Sequence, residues 1–274
     1  MLMKKERSKI SGSYWGWILR KSSGSDHQDL WRASMKEVFQ KLMNEWLDGI
    51  GGGRALKTDL YDEAVSAYSL IPLFRQKYEH IIGIDLSFDV ALAAQRRMTA
   101  DQIDWRDAVV ADVRRLAFKT DSFNLVLSHS TLDHFNDKKD IIVSLKEAFR
   151  VLKPGGLLII TLDNPSNPII FLRNLLPHRL MKSFGIIPYY MGVTLFRSEL
   201  IRILESNGFE VSESTAIGHS PRILLIWIGH ILKWTGSGRI NNLLLRLLAV
   251  IEYLEKLPTR FLTGYFIVVR AVKR

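Results

Sequence analysis

The feature of this 274-residue chain that most constrains its fold is an alternation of short apolar runs with longer helical patterns. Short runs rich in β-branched residues are typical of buried strands, and apolar residues at helical spacing are typical of the helices between them. This alternation favours βαβ units, in which helices cover both faces of a parallel sheet. We therefore predict an α/β fold with a doubly wound, mostly parallel sheet.

The predicted elements define one domain with two insertions. Strands are predicted at Arg54–Thr58, His80–Asp85, Ala108–Ala111, Phe123–Ser128, Leu157–Leu162, Phe209–Ser214 and Gly264–Ala271. Helices are predicted at Asp62–Lys77, Ser87–Met98, Lys138–Leu152 and Ser198–Asn207. Ser87 and Ser198 are predicted N-caps, and Gly208 is predicted to terminate the last of these helices. The helix before Lys153–Gly156 is predicted to stop there and to be followed by a turn. The single domain thus has an N-terminal helical segment (1–53), a core (54–163) and insertions at 164–197 and 218–263.

Composition excludes several chemistries. The chain has no cysteine, which excludes disulfides, thiolate zinc sites and a cysteine nucleophile, and the histidines show no metal-binding spacing. The N-terminus lacks the apolar region of a secretory signal. The apolar stretches Ile223–Trp234 and Leu243–Leu254 are shorter than the roughly 20 residues that span a bilayer. These features predict a cytoplasmic protein with no metal.

The formal net charge of +10 is concentrated at the two ends of the chain. Residues 218–274 contain nine Lys or Arg and two Glu, interleaved with aliphatic residues at helical spacing. This region could be a helical lid over the core, or an interfacial surface that contacts anionic lipid. Nucleic-acid binding is not favoured, because the basic residues do not form a polar stripe. A membrane contact through these C-terminal helices remains open at this point.

Carboxylates follow the second and third predicted strands. In an open parallel sheet, ligands bind beyond the carboxyl ends of the strands. Asp85, in the run IIGIDLS, ends the second predicted strand and could accept both hydroxyls of a ribose, with Leu86 beside it. Alternatively, Asp85 caps the next helix. Asp112 and Val113, in the run VVADVRRLAF, could contact an adenine amino group and ring edge; alternatively Asp112 is a turn residue.

Two histidines follow the fourth strand, in the run SFNLVLSHSTLDHF. His129 and His134 would lie over the same edge of the sheet as Asp85, where a neutral imidazole can take a proton from a reacting group. Either histidine could instead be a hydrogen-bonded wall residue. Both are therefore candidate general bases.

The order and spacing of these runs resemble a known family. Residues 80–163, above all the run SLKEAFRVLKPGGLLIITLDNP, resemble class I S-adenosylmethionine-dependent methyltransferases of the small-molecule and quinone branch. The resemblance implies a Rossmann-like, seven-stranded sheet with an antiparallel last strand, at GYFIVVRAVKR. It also implies S-adenosylmethionine as cofactor, with Asp85 at the ribose, Asp112 at the adenine, and Leu86, Val113 and His129 nearby.

The chain departs from that family in the loop after the first strand. The family has an acid followed by a Gly-x-Gly-x-Gly loop, but the aligned run here is RALKTDLYDEAV, and Lys57 takes the place of the acid. Side chains would fill the space that glycines leave for close backbone approach. Either Asp59 or Glu63 supplies the carboxylate for the cofactor's ammonium group, or the site no longer binds this cofactor.

The acceptor is predicted to be small and apolar or lipid-like. Its candidate contacts are Asn164, Tyr189 and Tyr190, which follow the fifth strand. Two functions from different classes therefore remain: methyl transfer to such an acceptor, or an inactive methyltransferase-fold protein that binds or scaffolds, with a membrane surface as one place where it could act. An oxidoreductase using a nicotinamide dinucleotide is the least favoured, since it needs the glycine loop even more. An empty cavity beside Asp85 and Asp112 would favour the enzyme. A cavity filled by the side chain of Tyr61 or Lys57 would favour the scaffold.

Overall fold

Seven strands form one sheet in the computed structural model, which describes residues 11–22, 29–66, 69–176, 190–220, 222, 225 and 238–274. The strands are β1 (Arg54–Lys57), β2 (His80–Asp85), β3 (Ala108–Val110), β4 (Phe123–His129), β5 (Leu152–Asp163), β6 (Phe209–Ile217) and β7 (Phe266–Lys273). Their order is β3-β2-β1-β4-β5-β7-β6. Strands β1 to β5 pair in parallel, and β7 runs antiparallel to both β5 and β6. The predicted seven-stranded, mostly parallel sheet with an antiparallel last strand is confirmed.

Helices flank the sheet on both faces. They are α1 (Gly12–Ser22), α2 (Asp29–Trp46), α3 (Tyr61–Val65), α4 (Ile71–Arg75), α5 (Phe88–Ala100), α6 (Lys138–Val151), α7 (Pro168–Leu175), α8 (Arg197–Ser206), α9 (Gly238–Ile251) and α10 (Arg260–Thr263), with 3-10 turns at Leu132–His134 and Glu252–Lys256. Among the helices of the described ranges, none is both long and apolar enough to cross a membrane. The helices α7 and α9 lie in the two predicted insertions.

Successive residues of the strands pack into two separate cores. Leu157 and Ile159 of β5 belong to the core on one face of the sheet, and Leu158 and Ile160 to the core on the other. This follows from the alternation of side chains along a strand. A strand buried on both faces needs apolar residues at every position, which accounts for the continuous apolar run of β5.

Three predicted elements differ from the structure. The single helix Asp62–Lys77 is wrong: it is divided into α3 and α4, because Pro72 is tolerated only in the first turn of a helix. Ser198 is not an N-cap, since α8 begins at Arg197 without a side-chain cap. Strand β5 begins at Leu152, so the predicted turn lies inside it.

The early start of β5 has a local cause. Leu152 pairs with Phe123, and the register between the two strands shifts before Leu125 pairs with Leu157. Gly155 in this stretch has a φ of +76°, which glycine adopts without strain.

The prediction that Ser87 caps the helix after β2 is confirmed, because its Oγ accepts from the backbone N–H of Val90.

Candidate functional site

The loop after β1 passes over β2 and is anchored there by Leu60. This side chain is fully buried, and a Cβ added at Gly83 would clash with it and with the ring of Trp105. The backbone N–H of Leu60 donates to Oδ2 of Asp85 over 3.2 Å. The missing side chain at Gly83 therefore leaves room for Leu60, and the loop lies close to β2 although it contains no glycine itself.

A buried ion pair occupies the base of the same loop. Nζ of Lys57 donates to Oε2 of Glu63 over 2.8 Å and to the backbone carbonyl of Asp59. The second oxygen of Glu63 accepts from the Oγ of Ser69 and the N–H of Leu70, each at 3.3 Å. Burial alone would lower the pKa of Lys57, but the negative charges of Glu63 and Asp59 outweigh it and raise the pKa. Because Lys57 holds the Glu63 carboxylate, the geometry favours Asp59 over Glu63 as the group that meets a ligand.

Two carboxyls stand at the ends of β1 and β2. Asp85 is 7% exposed and accepts from the N–H groups of Ser87 (2.8 Å) and Leu60 (3.2 Å). Burial raises its pKa to about 6, against the lowering effect of these hydrogen bonds. Burial and the neighbouring charge of Asp85 also raise the pKa of the Asp59 carboxyl well above its usual range. A cationic ligand here would relieve the repulsion between the two carboxylates.

Asp112 is engaged by a neighbouring guanidinium. Nη2 of Arg114 lies 2.6 Å from Oδ2 of Asp112, and its Nε contacts both carboxylate oxygens. Burial raises the pKa of Asp112, but the hydrogen bonds and charge of Arg114 outweigh it and lower the pKa. Asp112 is therefore ionised and fixed in orientation beside Val113.

These groups line one cleft at the carboxyl ends of β1, β2 and β3, which we call the acidic cleft. It encloses about 520 Å³, part of it open to solvent. Its lining comprises Trp15, Thr58, Asp59, Tyr61, Asp85, Leu86, Ala111, Asp112, Val113, Thr131, His134 and Phe135. The structure thus brings together five of the predicted cofactor contacts, while Glu63 and His129 lie outside this cleft.

Helix α1 covers one side of the acidic cleft. It packs so closely that a Cβ at Gly12 would clash with the backbone carbonyl of Leu86. This approach places the ring of Trp15 4.7 Å from that of His134 and 5.8 Å from that of Tyr61, measured between centroids. An aromatic wall therefore separates the cleft from solvent on this side.

His129 lies at the end of β4, just beyond the acidic cleft. Its Nδ1 is 3.0 Å from Oγ1 of Thr161, and this oxygen accepts from the N–H of Ser130. No described residue is hydrogen-bonded to its Nε2. Burial lowers the pKa of His129 to about 4, so the imidazole is neutral near pH 7.

His134 has a defined tautomer. Its Nδ1 lies 3.1 Å from the carbonyl oxygen of Tyr190. Since a carbonyl can only accept, Nδ1 carries the proton and Nε2 is the basic nitrogen. Burial lowers the pKa of His134 to about 4. The backbone N–H of Tyr190 in turn donates to the hydroxyl of Tyr14 over 2.9 Å, which ties the histidine to α1.

Two further cavities adjoin the acidic cleft. The first, which we call the neck, is lined by Trp15, Asp59, Tyr61, Asp62, His129, Ser130 and His134. The second, which we call the aromatic cavity, encloses about 790 Å³ and is lined by Trp31, Arg32, Met35, Lys36, Phe39, Lys57, Asp62, Glu63, Ser66, Leu70, His129, Ser130, Arg222 and Phe266. The neck shares four lining residues with the acidic cleft and three with the aromatic cavity. His129 and Ser130 line both the neck and the aromatic cavity. They would therefore lie between a ligand in the acidic cleft and a ligand in the aromatic cavity.

The residues that were predicted to contact the acceptor have different surroundings in the structure. Asn164 is fully engaged: its side-chain NH₂ donates to the carbonyls of Phe261 and Gly264, and its oxygen accepts from the N–H of Ser166. It lines neither cavity nor cleft, so the structure gives it a role in holding the start of β7. Tyr190 contributes its backbone to the contacts of His134, and Tyr189 lies outside the described residues.

Sequence reasoning missed the aromatic cavity. Its signal was present in α2, where aromatic, basic and methionine side chains recur at helical spacing: Trp31, Arg32, Met35, Lys36 and Phe39. The ion pair between Lys57 and Glu63 was also missed. In the described part of the chain, no group of His, Asp and Glu side chains is arranged to hold a metal ion.

Known proteins match the centre of the chain. Residues 64–160 match the family model described as "Methyltransferase domain". Erythromycin 3''-O-methyltransferase of Saccharopolyspora erythraea is 28% identical over 132 residues, covering 47% of this chain and 41% of that protein. A protein of Mycolicibacterium smegmatis named "Probable S-adenosylmethionine-dependent methyltransferase" is 27% identical over 200 residues, covering 72% and 65%. The chain thus spans less than two thirds of the length of these relatives.

A solved structure has the same fold. Geranyl diphosphate C-methyltransferase of Streptomyces coelicolor, in complex with Mg²⁺, a thiolodiphosphate analogue and S-adenosyl-L-homocysteine, superposes with a TM-score of 0.54. The match covers 86% of this chain and 75% of that one at 14% identity. At this identity the similarity concerns the fold alone.

Proposed function

We propose that this chain, which belongs to the class I S-adenosylmethionine-dependent methyltransferases, transfers a methyl group to a small, largely apolar or lipid-like acceptor. The observation that carries the proposal is the acidic cleft: Asp59, Asp85 and Asp112 lie at or just after the ends of three separate strands and line one space beside an aromatic wall. The relatives named for erythromycin and for geranyl diphosphate act on small molecules, which supports an acceptor of that class.

The residues of the acidic cleft fit the cofactor. S-adenosylmethionine supplies a methyl group on a positively charged sulfur and carries a net positive charge. Asp85 would accept the ribose hydroxyls, Asp112 and the backbone of Val113 would meet the adenine, and Asp59 would meet the ammonium group. The fit rests on the three carboxyls that line the same cleft. Burial raises the pKa of Asp59 and of Asp85, and a cationic ligand would favour the ionised form of both.

His129 is the best-placed group to move a proton. His129 lines both the neck and the aromatic cavity, and its neutral form has a lone pair on one ring nitrogen. With Nδ1–H donating to Thr161, Nε2 would accept the proton that the acceptor loses as its bond to the methyl carbon forms. His134, packed against Trp15, would shape the neck and remains the second candidate base.

The inactive scaffold is the alternative function, and the loop without glycines favours it. Tyr61 lines the acidic cleft without filling it, and Lys57 is directed to Glu63. This arrangement leaves space beside Asp85 and Asp112, which supports the enzyme over the scaffold.

A membrane contact is a second element of the proposal. Leu243, Leu247 and Val250 of α9 are exposed on a helix that also carries the exposed Arg246. Exposed apolar residues beside a basic one suit the surface of an anionic bilayer. Flotation with vesicles containing anionic lipid tests this contact. Recovery of the protein in the floating fraction that is lost in Leu247→Glu supports the contact. Recovery in that fraction that is the same with and without vesicles contradicts it.

Calorimetric titration of the purified protein with S-adenosylmethionine and S-adenosylhomocysteine tests the cofactor site. We expect micromolar binding that Asp85→Asn weakens by about tenfold or more, since two charge-assisted hydrogen bonds are lost. Asp101→Asn, at the exposed end of α5, is the matched control and should bind normally. Absence of heat with either ligand on folded protein would favour the scaffold.

A further inference from the structure

Rings form much of the apolar wall of the aromatic cavity. Trp31 and Phe39 come from α2, and Phe266 starts β7. The Phe39 ring lies 4.6 Å from that of His129, measured between centroids, and the Trp31 ring lies 6.5 Å from that of Phe266. The cavity encloses about 790 Å³, part of it open to solvent. Rings around a space of this size favour a ligand with a planar, apolar body.

The charged side chains in the lining of this cavity are engaged within the protein. Lys57 and Glu63 neutralise each other in their buried pair. Arg32, Lys36 and Arg222 each have partners of their own as well. A charged ligand would have to displace such contacts to gain a counterion, whereas a neutral ligand leaves them in place. The lining therefore favours a neutral ligand.

Ser130 contributes to the lining a hydroxyl that has no hydrogen-bond partner. Its Oγ is buried and is bonded to none of the residues that the structure describes. The backbone N–H of Ser130 donates to Oγ1 of Thr161 over 2.9 Å and to the Thr161 carbonyl over 3.2 Å, so the backbone is held in place. A buried hydroxyl without a partner is unfavourable until another group completes its hydrogen bonds. Ser130 can therefore bind a ligand by rotation about χ1 without giving up a bond to the protein.

The backbone of Ser130 is strained. Its φ is +48°, in the left-handed region that residues other than glycine seldom adopt. In the described ranges, Gln102 and Asp121 also have a positive φ without being glycine, and both are exposed in turns. Ser130 instead follows β4 and lines both the aromatic cavity and the neck. Strained backbone beside a cavity is characteristic of a ligand-binding position.

A neighbouring serine shows what distinguishes Ser130. The Oγ of Ser128 is also buried without a partner among the described residues. Ser128 lies within β4, however, and it lines neither the acidic cleft, nor the neck, nor the aromatic cavity. An unpaired hydroxyl alone is thus compatible with ordinary packing. Ser130 combines the unpaired hydroxyl with a strained backbone and a place on the boundary of two cavities.

His129 restricts the kind of hydroxyl that can react beside Ser130. The two residues are consecutive, and both line the aromatic cavity and the neck. Burial lowers the pKa of His129 to about 4, so its imidazole is a weak base. A hydroxyl on an aromatic ring, with a pKa of about 10 as in tyrosine, releases its proton more readily than an aliphatic hydroxyl does. An aromatic hydroxyl also suits the planar body that the walls favour.

We propose that Ser130 is a specificity-determining residue, and that the acceptor is a neutral, planar, apolar molecule with a hydroxyl on its ring. The body packs against the rings of the aromatic cavity, and the Ser130 hydroxyl donates a hydrogen bond to the acceptor oxygen. The inference rests on the proposed methyl transfer and assigns the methyl group to oxygen. The acceptor oxygen bonds to the methyl carbon while the carbon–sulfur bond breaks and leaves its electron pair on sulfur. The hydroxyl proton passes to His129, and Ser130 stabilises the negative charge that develops on the oxygen.

The first experiment measures the binding of two probes of similar shape by calorimetry, with and without saturating S-adenosylhomocysteine. The probes are 2-naphthol, which has a ring hydroxyl, and 2-methylnaphthalene, which has a methyl group in its place. Ser130→Ala should weaken 2-naphthol about fivefold to tenfold, as expected for one lost hydrogen bond, and leave 2-methylnaphthalene within about twofold. Equal effects on the two probes, or no binding of 2-naphthol to the unmodified protein, would overturn the proposal.

Two further variants separate the hydroxyl from the backbone. Ser130→Gly also removes the hydroxyl but adopts a positive φ without strain, so it should weaken 2-naphthol as much as Ser130→Ala does. Normal 2-naphthol affinity in Ser130→Gly would assign the effect to the backbone and contradict the proposal. Ser128→Ala removes an unpaired hydroxyl outside the cavity, and its affinity for 2-naphthol should stay within about twofold of the unmodified protein. A loss in Ser128→Ala as large as that in Ser130→Ala would contradict it too. The midpoint of thermal unfolding confirms that each variant is folded.

Methionine methyl groups report where the probe binds. Met35 lines the aromatic cavity, whereas Met43, on the same helix, is fully buried and lines neither this cavity, nor the neck, nor the acidic cleft. In protein labelled with ¹³C at the methionine methyl groups, the ring current of 2-naphthol should shift the Met35 signal and leave that of Met43 in place. Met35→Leu assigns the signal. Saturation with 2-naphthol that leaves the Met35 signal unshifted would place the probe elsewhere and refute the assignment.

This inference and the proposed function fail in different ways. Cofactor binding without any Ser130-dependent binding of 2-naphthol would overturn this inference alone. Ser130-dependent binding of 2-naphthol by a protein that binds neither S-adenosylmethionine nor S-adenosylhomocysteine would reject the proposed methyl transfer, while the site for a ring hydroxyl would stand. The anion 2-naphthoate is the third probe. Binding of 2-naphthoate about tenfold more tightly than 2-naphthol would show that the lining selects a charge, and the neutral acceptor would be wrong.

Discussion

Nζ of Lys57 lies 2.8 Å from Oε2 of Glu63, and the two side chains are 3% and 0% exposed. Lys57 ends β1, at the position where an acid is expected to meet the cofactor, and Glu63 lies in α3. The negative charge of the Glu63 carboxylate is balanced within the protein by Lys57, and the carboxylate also accepts hydrogen bonds from Ser69 and Leu70. The pair therefore builds the loop, and Asp59 is left to face the acidic cleft.

Breaking this pair should destabilise the fold. Glu63→Gln leaves the Lys57 charge buried without its partner, and removal of one member of a buried pair costs about 3–5 kcal/mol. The double variant Lys57→Met with Glu63→Met should lose less than the two single variants together, because no buried charge remains. Urea unfolding measures the free energies.

A second lysine–glutamate pair is the matched control. Lys41 and Glu255 lie 2.5 Å apart, with the lysine 65% exposed. Glu255→Gln should cost about 1 kcal/mol or less, as exposed pairs do. A Glu63→Gln variant no less stable than Glu255→Gln would contradict a structural role for the buried pair.

Cofactor affinity should depend on pH through Asp85. Its pKa of about 6, raised mainly by burial, means that the carboxyl becomes protonated below about pH 6. A protonated carboxyl accepts hydrogen bonds poorly, and the positive charge of S-adenosylmethionine favours the ionised form. Affinity should therefore rise as the pH increases from 5 to 7, and binding at pH 6 should release protons. Calorimetry in buffers of different ionisation enthalpy counts those protons.

S-adenosylhomocysteine is the control ligand for this linkage. It lacks the charge on sulfur, so its binding should release fewer protons than that of S-adenosylmethionine. In Asp85→Asn the pH dependence should become shallower as well as the affinity lower. An affinity for S-adenosylmethionine that is flat from pH 5 to 7.5 would contradict this account.

The sequence predicted the acidic cleft better than the loop beside it. Asp85 and Asp112 follow strands whose apolar runs are recognisable locally, and parallel strands bring their carboxyl ends to one edge. Nothing local distinguishes Glu63, which meets Lys57, from Asp59, which faces the cleft. That difference depends on how the chain turns after β1, and this turn is set by packing of Leu60 against Gly83.

Tertiary hydrogen bonds determine the surroundings of Asn164. Asn164 follows β5 at the ligand edge of the sheet, so its position alone suggested an acceptor contact. Its partners, the carbonyls of Phe261 and Gly264, lie about a hundred residues further along the chain. A pairing over that separation has no signature in the local sequence.

His129 should titrate far below an ordinary histidine. Its pKa of about 4, lowered by burial, predicts a neutral ring throughout the physiological range. Long-range ¹H–¹⁵N correlation spectra over a pH series measure this pKa and the tautomer. His129→Asn should lower kcat by about 10²-fold to 10⁴-fold while the affinity for S-adenosylmethionine stays within about threefold, as expected for a general base. Thr161→Val should change the tautomer populations.

The same spectra can reject the assignment. A pKa of His129 near 6.5 or above would contradict its burial, and the rate would then fall below neutral pH. His134 is the internal comparison, because its bond to the Tyr190 carbonyl requires the proton on Nδ1. Loss of activity in His134→Asn, with full activity in His129→Asn, would transfer the role of base to His134.

Helix α1 supplies a matched pair of tryptophans for testing the wall of the acidic cleft. Trp15 lines the cleft and the neck, whereas Trp17 lines neither and is 44% exposed. Removing the partly buried indole exposes the cofactor to solvent, and burial of a large apolar side chain is worth about 1.5–3 kcal/mol. Trp15→Ala should therefore weaken S-adenosylmethionine at least about tenfold, chiefly through faster dissociation. Trp17→Ala should bind within about threefold of the unmodified protein, and stopped-flow dissociation rates compare the two. Equal effects would mean that α1 acts through the stability of the helix, and that Trp15 does not form the wall of the cleft.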